Sequence, residues 1–140
     1  MFALVDQAKT IVAALAGVSA LKKVGYLDDE AQSAAAPSVM PSAWLVMEAC
    51  ERDMERAQAS VVWGVVLKSK RLRGLDGDLP ILAQVEQIIE TLHGLRPASG
   101  WTPLTFMQAD YMEPQVEGAA YYIRFAAASH HSRGLPPCPA

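Results

Sequence analysis

Two cysteines and three histidines are the residues of this sequence best suited to nucleophilic or metal chemistry, and their spacing favours neither. A thiol nucleophile would pair Cys50 with His93, the imidazole taking the thiol proton while a third group orients the ring. No acid or amide stands at a recognisable spacing to orient His93, which falls near the end of a helical pattern. His130, His131 and Cys138 are zinc-type side chains, but they sit in HHSRGLPPCPA, a segment rich in proline that lacks a convincing fourth ligand. One cysteine in mid-chain and one in this segment form no disulfide framework, so free thiols are expected. Glycine patterns that cradle phosphate are missing as well, since Gly74 and Gly77 precede neither a lysine nor a strand-to-helix turn of the required kind. The expectation is a chain with no catalytic residues, no metal and no cofactor.

Charge is the remaining chemistry. Lys68, Lys70, Arg71 and Arg73 form a compact basic cluster just after an apolar segment, where they can meet the acids of a neighbouring subunit or a phosphate backbone. Asp28, Asp29 and Glu30 lie in an alanine-rich stretch, and Glu48 and Glu51 flank Cys50. Those acids are the complementary candidates; the competing reading of both clusters is a solvated loop. Trp44 and Trp63 read as core aromatics, because a base-stacking platform brings basic residues in the same strands.

Composition narrows the class. The chain has 140 residues, 51% of them hydrophobic and 19% charged, enough apolar surface to fold as one unit around one core. Its net charge of −3 and pI near 5.5 argue against a protein that lives on nucleic-acid phosphates. The longest uncharged stretch, Ala31–Met47, contains two prolines and several polar residues, so no membrane span is expected. Asp6 interrupts the apolar run that a secretory leader needs, which points to synthesis and retention in the cytoplasm.

The elements that must position these residues follow from periodicity. Leu4, Ala8, Ile11 and Leu15 recur at helical intervals with Asp6, Gln7, Lys9 and Thr10 mostly opposite, and Gly17 supplies a stop. Val18–Tyr26 reads as a short strand before a long loop. Ser42–Cys50 and Ala59–Leu67 read as a hairpin with a charged tip, Glu51–Arg56, and Gly64 marks a bulge or the close approach of another backbone. A second helix is capped by Asp78, has Pro80 in its first turn and Leu82, Val85, Ile89 and Leu92 on its apolar side, and ends at Gly94. LTFMQADYM and AAYYIRFAAAS make a final antiparallel pair, with Tyr121, Ile123 and Phe125 on one face and Tyr122 and Arg124 on the other. The pattern predicts an α+β fold: an antiparallel or mixed sheet of about four to five strands with both helices packed on one face, spanning residues 1–129, followed by a flexible Pro-rich tail, 130–140.

Taken in order, these segments resemble the tail-terminator (minor tail) protein family of Mu-like, contractile-tailed bacteriophages. The points of contact are the opening helix, PSAWLVME (41–48), VVWGVVLKSKRLRG (61–74), ILAQVEQIIETLHGLRP (81–97) and YYIRF (121–125), over roughly residues 2–128. The helix ending in LHGLRP, followed across a Trp101 loop by a strand pair split at Glu113-Pro114, is the most telling piece; the insertion 27–36 and the tail fall outside it. The resemblance implies a non-enzymatic virion protein of the tail and neck. It would form a homo-oligomeric ring, expected to be a hexamer, that caps the head-proximal end of the tail tube, ends tube polymerisation and offers a surface for joining the head. Its partners would be the tail tube protein, with sheath and neck or head-completion proteins, while genomic DNA passes through without sequence-specific binding. In such a ring Lys68, Lys70, Arg71, Arg73, Asp28, Asp29, Glu30, Glu48 and Glu51 are the subunit-interface or lumen candidates. The alternatives are another neck or tail-completion protein, or a small cytoplasmic enzyme using Cys50.

Overall fold

The computed structural model describes residues 2–26, 41–53, 58–69, 80–112 and 119–129. Helix α1, Leu4–Ala16, buries Gln7, Ile11 and Leu15, one residue per turn along a single stripe. It ends at Gly17, whose N–H donates to the carbonyl of Ala14 at 3.1 Å. The segment expected to be a strand from Val18 is first a turn, closed by Val18 N–H to Leu15 O and Leu21 N–H to Val18 O; only Lys23–Tyr26 forms β1. Val18 itself is buried and belongs to the turn.

Strands β2 (Ser42–Asp53) and β3 (Gln58–Ser69) form the hairpin, paired from Ser42↔Lys68 to Asp53↔Gln58. Of its expected charged tip, Glu51–Arg56, the first three residues instead extend β2 and pair with Ser60, Ala59 and Gln58, and residues 54–56 lie outside the described residues. Helix α2, Pro80–Leu92, packs Val85, Ile88 and Leu92 inward. Its apolar stripe is rotated from the expected one: Ile88 is fully buried, Ile89 only half-buried and Leu82 exposed. The turn after it reverses at Gly94, whose φ of 88° is open to glycine without strain, and Gly94 N–H donates to Leu104 O. The cap expected from Asp78 lies outside the described residues.

Strands β4 (Thr105–Met112) and β5 (Ala119–Ala128) complete one five-stranded sheet in the order β1-β2-β3-β5-β4. The β1–β2 pair is parallel and every other pair antiparallel, so the sheet is mixed and the fold is α+β, as the pattern predicted. Helix α1 packs on β1 and β2, α2 on β4 and β5, and the helices touch each other. Between them and the sheet lies the core of Ile11, Leu15, Leu45, Trp63, Val65, Ile88, Leu92, Trp101, Ile123 and Phe125. The opposite face carries no helix among the described residues.

Two side chains depart from the amphipathic reading. Gln7, placed on the polar side by its type, is fully buried because its Oε1 accepts the Trp63 indole N–H at 3.0 Å while its Nε2 donates to Phe2 O at 2.8 Å. A buried indole needs an acceptor, and Gln7 supplies it from the facing helix. Trp44 is also buried, but it stands on the helix-free face, donating to Ser42 Oγ at 3.0 Å beneath the Lys23 ammonium, 5.7 Å from its ring. The two tryptophans are core aromatics on opposite faces of the sheet.

Candidate functional site

The helix-free face carries Lys23, Glu48, Glu51, Lys68, Asp110 and Arg124. Register places Lys23, Ser42, Lys68 and Ala120 in one row across β1, β2, β3 and β5, and Glu51, Ser60 and Ala128 in another near the far end. Lys68 and Ser60 are eight residues apart on β3, so these rows are about 27 Å apart along the strand. Glu51 also lines a polar depression there with Arg52, Gln58 and Ser60.

Midway between them the sheet builds a compact polar cluster. The β2–β3 register shifts between Met47 and Ala49, leaving Glu48 as the extra residue of a β-bulge. The Glu48 carboxylate reaches over β3 to Arg124 of β5, Nη2 to Oε1 3.0 Å, with both side chains 32% exposed. It can do so because the intervening residue is Gly64, which pairs with Val46 on one side and Arg124 on the other. The Tyr122 ring lies directly across Gly64: a Cβ there would overlap its Oη, Cε1 and Cζ atoms. Gly64 thus marks a close approach, as its place mid-strand suggested, but the approaching group is an aromatic side chain and the bulge sits on the partner strand.

Arg124 stacks its guanidinium 5.1 Å from the Tyr122 ring centre. Burial pushes the Tyr122 hydroxyl above the ordinary phenol range and the Glu48 carboxylate adds to the rise, while hydrogen bonding and charge from Arg124 oppose it. On β4, Gln108 stands opposite Arg124 and Asp110 opposite Tyr122, with Gln108 Nε2 donating to Asp110 Oδ2. An ion pair this exposed contributes at most about 1 kcal/mol, so the cluster fixes side-chain positions on the face more than it stabilises the fold.

The same bulge settles the cysteine. Strict alternation would put Cys50 on the face with Trp44 and Val46; the extra residue flips it to the helix side, opposite Val61 and against the core. Burial pushes its thiol up, away from the thiolate a nucleophile needs. His93 Nδ1 accepts Phe106 N–H at 3.1 Å, at the β4 side of the sheet. Strand β2 is three strand spacings from β4, about 14 Å. Cys50 and His93 do not form a catalytic pair.

Of the residues singled out from sequence, Glu48, Glu51 and Lys68 share the helix-free face, and Glu48 takes its partner from within the chain, Arg124. Asp28, Asp29, Glu30, Lys70, Arg71 and Arg73, like His130, His131 and Cys138, lie outside the described residues. Sequence reasoning missed Arg124, Tyr122 and Asp110 as members of the cluster. Tyr122 and Arg124 were placed on one face, but nothing in the alternation of β5 names the acid that answers Arg124.

The family model described as phage tail terminator protein matches residues 1–133. The chain belongs to that family. Comparison with curated proteins gives no match. Tail terminators are structural proteins and not enzymes, so this chain is a structural protein of the viral tail, acts with the tail tube and ends it.

Proposed function

We propose that the protein forms a ring of six copies on the head-proximal end of the tail tube of a Mu-like, contractile-tailed phage, where it halts tube polymerisation, presents the surface that joins the neck and head, and lets the genome pass through. The observation that carries this reading is the polarity of the helix-free face, with Lys23 and Lys68 in the row at one end and Glu51 in the row at the other. A surface with unlike ends suits a rotational ring, in which each patch meets a different patch on the next copy. The basic group faces an adjacent subunit or the phosphates of the passing DNA, and Asp28, Asp29 and Glu30 are acids available to it in a neighbour.

Negative-stain imaging and solution mass of the purified protein, with and without tail tubes, test the ring. The expected result is a closed ring of about six times 15.1 kDa, either free or only at tube ends. A chain that stays monomeric and leaves tubes uncapped sinks the reading.

A further inference from the structure

The sheet ends in two edges of unlike chemistry. Among the described residues no strand pairs with the outer side of β1 or of β4. Strand β4 is exposed along most of its length and carries one charge, Asp110, in TFMQADYM, with Tyr111 56% and Met112 39% exposed. Monomeric proteins protect such an edge with lysine, proline or a bulge. Here the β4 register shift falls between Phe106 and Gln108, which leaves Gln108–Met112 a regular paired segment without lysine or proline. Strand β1, KVGY, carries Lys23 next to Lys22, both exposed, no acid, and a Tyr26 that is 37% exposed.

We propose that copies of this chain join edge to edge, β4 of one protomer adding as an antiparallel strand to β1 of the next, with Asp110 set opposite Lys23. The proposal rests on the ring reading and names the contact that builds it. Within the sheet β4 runs antiparallel to β1, so a neighbour turned about an axis that keeps its helices on the same side presents β1 in the antiparallel sense. In that register Lys23 and Gly25 meet Asp110 and Gln108 on the helix-free face, while Val24 meets Ala109 on the helix face. Pairing like edges is disfavoured: β1 on β1 brings Lys22 and Lys23 against their copies, and β4 on β4 brings the Asp110 carboxylates together. Unlike edges also leave one of each free after every addition, so growth ends only by closure.

The test uses the full chain with Cys50→Ser and Cys138→Ser, carrying Lys23→Cys and Asp110→Cys, with circular dichroism to confirm folding. Opposed residues of an antiparallel pair lie within the span a disulfide bridges. Oxidation on tail tubes is expected to yield a covalent ladder from dimer to whole ring with the double variant, and monomers with either single variant. A double variant that forms rings on tubes yet stays monomeric on a denaturing gel overturns the edge contact and leaves the ring standing; dimers from Asp110→Cys alone overturn it in favour of β4 on β4. Failure of the unmodified chain to form rings on tubes removes both. The charge variants give a second readout, in which Lys23→Asp or Asp110→Lys lowers ring yield about tenfold and the two together restore it. No recovery in the combined variant rejects the pairing.

Discussion

Gly64 is the residue on which the helix-free face depends, because any side chain there displaces the Tyr122 ring and with it the platform on which Arg124 rests. Gly64→Ala should destabilise the protein by about 1–3 kcal/mol in chemical denaturation, the usual penalty of an overpacked site. In a Tyr122→Ala background the same change should become neutral or favourable, since glycine within a strand costs about 0.5–1 kcal/mol relative to alanine. An equal loss in both backgrounds rules out the ring as the obstacle. Tyr122 itself should show in the alkaline limb of stability. Its folded pKa is raised, so the folded state holds the phenol proton where the unfolded chain has released it; the contribution is complete below the unfolded value near 10 and is lost as pH rises through the folded one. Melting temperature should therefore fall less steeply above pH 10 in Tyr122→Phe than in the unaltered protein, and identical slopes would remove the hydroxyl from the account.

Helix α2 offers the sharpest comparison at the scale of an element. Ile88→Asp places an unpaired carboxylate at a fully buried position and should prevent folding, whereas Ile89→Asp, half-buried, should leave a folded protein with a lowered melting temperature, and Leu82→Asp should change stability by less than about 0.5 kcal/mol. Soluble, folded Ile88→Asp with an unchanged melting temperature contradicts the placement of the helix. Every apolar side chain on α2 was visible in the sequence, but Ile88 and Ile89 are adjacent, and which of them points inward depends on how α2 lies on β4 and β5. Where one face meets water and the other the core, alternation was legible: Ile123 and Phe125 inward, Tyr122 and Arg124 outward. Bulges were not, because the extra residue at Glu48 leaves no mark in residue type, and it alone turns Cys50 inward and sends Glu48 to Arg124. That ion pair joins residues in strands separated by β3, a distance no local pattern reports. Gln7 was misassigned for a related reason, its burial being decided by one indole N–H on the facing strand.

For the molecule as a whole, the basic group after β3 separates two roles. Replacing Lys68, Lys70, Arg71 and Arg73 by serine should leave circular dichroism intact, since surface ion pairs contribute only about 0–1 kcal/mol each to a monomer. A subunit-contact role then predicts sparse or irregular rings and overlong tails; a lumen role predicts normal rings and tail lengths with poor infectivity. Unchanged tail length and infectivity would mean that the segment is only a solvated connection. The strand order adds a constraint that concerns synthesis. Strand β5 follows β4 in the chain yet is inserted between β3 and β4, and Ser129 closes the far end by taking Ala59 N–H on its Oγ and donating its own N–H to Ala59 O. Until Ala119–Ala128 has been translated, β3 lacks one neighbour and β4 has none, so a nascent or prematurely ended chain cannot present the finished sheet. Competence to stop a tail is thereby withheld until β5 has been made, and a product that ends before it is left with open strands that invite proteolysis before it can cap a growing tube.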